Sequence, residues 1–179
     1  MSHLSVEQGP STVSFVERFA QSPQFDELFR EGMSLVEATA DYLDGEGRKA
    51  ARELASPLSV IYATESMRLT TRLLEVASWL VIQRALKDGE LSQDEAEEKR
   101  QRVKLRAMTR PSHIKRFDEL PTGLQALITQ SFAVTDRIVQ IDKAMTHDTA
   151  SAPPAALNPV GEQMKRLASA FSLGSSQRH

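Results

Sequence analysis

The chain has 179 residues, a net charge of −2 and no cysteine, with 40% hydrophobic but only 6% aromatic residues. That length suits one domain with residues left over for tails, and the near-neutral charge offers no global attraction to nucleic acid or an anionic membrane. The missing cysteine excludes disulfides, zinc–thiolate sites and thiol catalysis, and suits a reducing cytoplasm.

Residues 1–12 (MSHLSVEQGPST) are small and polar around Gly9-Pro10 and read as a loose arm, without the basic and apolar regions of a secretory signal. Residues 13–20 carry Phe15, Val16 and Phe19 at helical spacing and read as a docked turn of helix in preference to a hydrophobic latch. The first long helix begins at Ser22-Pro23, an N-cap followed by proline at the first helical position. Asp26 and Glu27 place negative charge where the macrodipole favours it. Phe25, Leu28, Phe29, Leu35, Val36, Tyr42 and Leu43 form one wide apolar face, and Gly32 within it marks close helix–helix approach. Asp44-Gly45-Glu46-Gly47 ends this helix.

A second helical region covers residues 48–87, kinked at Pro57 or restarted there with Ser56 as its cap. Leu58, Ile61, Tyr62, Leu69, Leu73, Val76 and Leu80 trace its core stripe, and Val60, Met67, Leu74 and Val81 are expected to widen it. Asp88-Gly89 stops it. Ser92-Gln93-Asp94-Glu95 is a capping box that opens a highly charged helix, broken at Arg110-Pro111. The third long helix starts at Pro121-Thr122 and carries Leu124, Leu127, Ile128, Phe132, Ile138, Val139, Ile141 and Met145. Residues 148–159 hold three prolines among small residues, a linker composition with a root-mean-square reach of about 20 Å. A helical pattern then returns through Val160, Met164, Leu167 and Phe171.

The expected architecture is all-α: an antiparallel three-helix bundle over residues 22–146, with an additional short charged helix. Residues 1–21 form a partly flexible arm, and residues 147–179 a disordered linker and interaction tail. The first and third long helices span roughly 30 and 35 Å, while the middle region reaches about 60 Å if continuous. The two shorter helices cannot cover that length, so the charged helix, the N-terminal segment or a second copy must cover the overhang.

The sequence carries no recognisable active-site pattern. His3, His113, His147 and His179 stand in tails or beside loop residues, away from metal-ligand spacing. Gly45-Glu46-Gly47 lacks the strand and third glycine of a phosphate cradle, and no Gly-x-Ser-x-Gly elbow occurs. Glu65, near the core stripe, is read as the partner of Arg68 or Arg72. No cofactor, metal or enzymatic activity is expected.

Three features point instead to protein binding. Lys99, Arg100, Arg102, Lys104 and Arg106 follow an acidic run; they form either a solvated helix end or a basic docking surface for an acidic partner. Trp79, Ile82 and Leu86 recur at three- and four-residue steps. Either the charged helix folds back over them or they form a dimer or cargo surface. In the tail, Met164, Lys165, Arg166, Leu167, Phe171 and Leu173 have the make-up of a short helix-in-groove ligand, or of a segment that packs on its own bundle.

The stretch VSFVERFAQSPQFDELFREGMSLVEATADYLDGEGR, followed by LASPLSVIYATESMRLTTRLLEVASWLVIQRAL, resembles the regulator of CtrA degradation (RcdA) family of alpha-proteobacteria, over about residues 13–145. The resemblance implies a dimeric three-helix bundle that acts as a cytoplasmic adaptor for the ClpXP protease in cell-cycle proteolysis, recruited to a cell pole. It implies cargo such as CtrA-like transcription regulators and cooperation with a CpdR-like response regulator and a PopA-like adaptor. It also places protease engagement on the tail residues Met164, Lys165, Arg166, Leu167, Phe171 and Leu173. A stand-alone dimeric regulator or scaffold with an incidental tail is the competing reading.

Overall fold

The computed structural model describes residues 15–105 and 114–151. Among the described residues, six α-helices and one 3-10 turn follow in order: α1 Phe15–Ala20, α2 Pro23–Asp44, α3 Glu46–Glu53, α4 Leu58–Lys87, α5 Gln93–Arg102, the turn Phe117–Glu119 and α6 Thr122–Ser151. The loose arm of residues 1–12, the break at Arg110-Pro111 and the linker beyond residue 151 lie outside the described residues.

Local signals set these boundaries. Ser22 caps α2, its hydroxyl accepting from the Phe25 amide at 3.3 Å, with Pro23 at the first helical position. Ser92 and Glu95 close the expected capping box on α5, at 3.3 Å and 2.9 Å. At Pro57 the helix stops and restarts rather than bending: α3 ends at Glu53 and α4 begins at Leu58, without a side-chain cap from Ser56. α6 runs to Ser151, past the 147 boundary read from the sequence. Asp148, Thr149, Ala150 and Ser151 are tolerated in a helix, and Pro153-Pro154 is the first feature that forbids one.

α2, α4 and α6 pack against one another as the bundle. α2 is antiparallel to both partners. Gly32 meets Leu80 and Asp26 meets Lys87 on α4, while Glu31 pairs with Arg137 and Tyr42 lies against Gly123 on α6. α4 and α6 run the same way, with Arg72 on Ser131 and Trp79 on Asp142. The connection through α5 carries the chain back along the bundle to make this possible.

Leu69, Val76, Trp79, Leu80, Leu124, Ile128 and Ile138 fill the centre. Gly32 permits close approach as expected: a Cβ there would stand 2.4 Å from Leu80 Cδ1. Two buried charged groups have partners in the core. Glu65 is buried and accepts from Arg68 Nη1 at 2.7 Å. Arg72 donates to Ser131 Oγ at 2.7 Å and lies 3.7 Å over the Phe132 ring. Burial lowers its guanidinium pKa from the usual value, and Glu65 and Glu75 oppose that shift.

Candidate protein-docking face

The sequence-predicted sites are redistributed by the fold. Trp79 is not on a surface. It is fully buried, 6.5 Å from the Phe19 ring of α1, and its indole N–H donates to Asp142 Oδ1 of α6 at 2.9 Å. Ile82 and Leu86 are half-buried beside it. The dimer or cargo patch on Trp79, Ile82 and Leu86 is therefore corrected: α1 and α6 cover its centre, with α5 packed on the same helix.

The basic docking surface is broken up in the same way. Arg100 is buried, with Nη1 3.5 Å from Asp142 Oδ1, so it anchors α5 to the bundle instead of facing a partner. Arg102 is held by Glu98 at 2.5 Å in an exposed i, i+4 pair. Lys99 and Lys104 are exposed, and Arg106 lies outside the described residues. So do Met164, Lys165, Arg166, Leu167, Phe171 and Leu173.

The face that does stand open is the outer side of α4. Val60, Met67, Leu74 and Val81 are 63%, 72%, 67% and 53% exposed. They recur every seven residues, in register with the buried Tyr62, Leu69, Val76 and Gln83 but about 160° around the helix from them. The expectation that they widen the core is corrected, because α2, α5 and α6 occupy the opposite side of α4. The buried stripe has the same spacing of seven, so the sequence alone does not tell the covered side of α4 from the open one.

Small residues flank the stripe: Ala63, Thr70 and Ala77 on one side, Thr64, Thr71 and Ser78 on the other. Thr64, Thr71 and Ser78 donate to the carbonyls of Val60, Met67 and Leu74 at 2.8, 2.9 and 2.7 Å. Their hydroxyl protons are thus satisfied within the helix and ask nothing of a partner. From residue 60 to residue 81 this face carries no charged side chain.

Leu74 also lines a groove of about 260 Å³ between α2 and α4, with Thr70 and Ala77 beside it and Val36, Ala40 and Leu43 opposite. Each of its α2 lining residues Val36, Ala40 and Leu43 is followed by an exposed acid, Glu37, Asp41 and Asp44. Asp44 pairs with Arg48 at 3.4 Å, whereas Glu37 and Asp41 make no ion pair among the described residues. A second groove of about 290 Å³, between α2 and α6, is edged by the polar Glu31, Ser34 and Gln130.

Among the described residues no group of three or more His, Asp or Glu side chains is placed to hold a metal ion. Nor is any described helix long and apolar enough to cross a membrane. The arrangement offers an uncharged, apolar helical face for another polypeptide.

A family model described as "Protein of unknown function (DUF1465)" matches residues 16–171. The crystal structure of RcdA from Caulobacter crescentus CB15 matches at 41% identity with a TM-score of 0.57. That match covers 72% of this chain and 96% of the Caulobacter chain. The chain belongs to the RcdA family. No curated protein matches the sequence. The resemblance carried by the α2 and α4 segments is thus shown, and the all-α bundle expected from it is the fold observed.

Proposed function

We propose that this RcdA-family chain is a non-enzymatic adaptor that binds protein substrates and delivers them to the ClpXP protease in regulated, cell-cycle-linked proteolysis. The observation that carries the reading is the outer face of α4, where Val60, Met67, Leu74 and Val81 stand exposed over more than five helical turns. A monomeric protein rarely maintains such a stripe without a polypeptide to cover it. Cargo such as CtrA-like transcription regulators occupies the α2/α4 side. Met164, Lys165, Arg166, Leu167, Phe171 and Leu173 engage the protease, primed by a CpdR-like response regulator and joined by a PopA-like adaptor. Family membership supports these assignments.

The test is reconstituted degradation of a CtrA-like substrate with intact protein and with a variant lacking residues 160–179. The truncated protein keeps its helical content and its grip on substrate, and substrate half-life rises to that seen without adaptor. Unchanged delivery by the truncated protein would overturn the tail's role.

The same stripe favours a second reading, a stand-alone homodimer. Residues spaced by seven, with small neighbours, suit a helix from a second copy. Substrate half-life unaffected by the whole protein, together with a concentration-dependent dimer, selects that reading.

A further inference from the structure

The α2/α4 groove has two properties that together describe its occupant. Its floor is apolar, through Val36, Ala40, Leu43, Leu74 and Ala77. On α2 the exposed acids Glu37 and Asp41 directly follow the lining residues Val36 and Ala40 and lack ion-pair partners among the described residues. The fitting ligand is a short amphipathic helix with one apolar face and basic residues on its flank. One segment of the chain outside the described residues has that composition. Val160, Met164, Leu167 and Phe171 fall within a narrow arc of a helix, and Lys165 and Arg166 lie on the two sides of its polar face.

The chain can make the journey. α4 and α6 are parallel, and the Arg72–Ser131 and Trp79–Asp142 hydrogen bonds bracket their register. From Asp142, α6 continues to Ser151, and Ala77 lies just before Trp79 on α4. The end of α6 and the entrance of the groove are therefore separated by about 17–23 Å along the bundle axis. Residues 152–159 reach about 27 Å when extended, enough for that distance with one helix width set across it.

We propose that residues 160–171 dock in cis into the α2/α4 groove, with Met164, Leu167 and Phe171 on its apolar floor and Lys165 or Arg166 against Glu37 and Asp41. Resting on the adaptor reading above, this makes the groove a regulator of the tail: a substrate that enters the groove displaces the segment that engages the protease. The tail is presented when cargo is bound and withheld when it is not.

The natural absence of cysteine allows a direct test on the full chain. A nitroxide on Thr70→Cys, which lines the groove, broadens the NMR signals of Met164, Leu167 and Phe171, and dilution does not diminish the effect. The broadening disappears with Leu167→Glu/Phe171→Glu. It weakens with Glu37→Lys/Asp41→Lys and returns when Lys165→Glu/Arg166→Glu is added. Absence of broadening in the wild-type tail overturns the proposal, as does its persistence in Leu167→Glu/Phe171→Glu. Broadening that requires a mixture of spin-labelled and isotope-labelled chains also overturns it, because the segment then docks on a second copy. No protease or substrate is present, so failed delivery in the degradation assay leaves this result standing, and failure here leaves delivery untouched.

Discussion

At the scale of single residues, the organising group is Asp142. One carboxylate receives the buried Trp79 N–H at 2.9 Å and faces the buried Arg100 guanidinium at 3.5 Å, joining α4, α5 and α6. Asp142→Ala leaves an indole donor and a buried positive charge without that partner. Removing one side of a buried pair costs about 3–5 kcal/mol, and the partial exposure of Asp142 brings the expectation to about 3 kcal/mol. Asp142→Asn keeps an acceptor for Trp79 and loses only the charge, so it recovers about 1 kcal/mol of that loss. Urea unfolding of both variants decides the matter. A loss below about 1 kcal/mol for the alanine variant would show that water replaces the carboxylate. Glu65 was legible as a paired acid because Arg68 lies one turn away on the same helix. The Trp79–Asp142–Arg100 group was not, since its members are distant in sequence and only the α4–α6 register brings them together.

At the scale of elements, the spacing of α2 and α4 depends on Gly32. A Cβ built there falls 2.4 Å from Leu80 Cδ1 and 3.6 Å from Val76 Cγ1, and Leu80 is fully buried. Gly32→Val therefore separates the two helices and costs about 2–3 kcal/mol, despite its better helix propensity. Combining Gly32→Ala with Leu80→Val tests the cause. The pair is less destabilised than the sum of its single variants if the clash is local, and strictly additive losses would refute it. The glycine, the Ser22-Pro23 start, the Ser92 capping box and the break at Pro57 were all readable, because each is a local signal satisfied within a few residues. The role of Val60, Met67, Leu74 and Val81 was not. Apolar residues on two sides of one helix broaden its pattern equally, and only the positions of α2, α5 and α6 reveal which side is covered. The same argument explains Arg100. A helix as charged as α5 reads as solvated all round, yet it turns Ala96 and Arg100 inward.

At the scale of the whole molecule, the outer face of α4 separates folding from function in a way that one variant can expose. Met67 and Leu74 are 72% and 67% exposed, so the isolated bundle gains little from them. Substitution at such positions changes stability by about 0.5 kcal/mol or less. Met67→Asp/Leu74→Asp is therefore expected to keep the helical circular-dichroism signal and a melting temperature close to that of the parent. The same change puts two carboxylates into any apolar contact made there. An unpaired buried charge is strongly unfavourable, so association through this face is lost rather than weakened. Sedimentation across a concentration series reads self-association, and a binding titration with a CtrA-like substrate reads cargo capture. Loss of either with an unchanged melt assigns the face to that partner. A large drop in melting temperature would mean that the stripe is buried within the folded chain, and would sink its assignment as a docking face. An unchanged melt with both interactions intact would move the binding surface elsewhere and leave the apolar stripe of α4 without a partner.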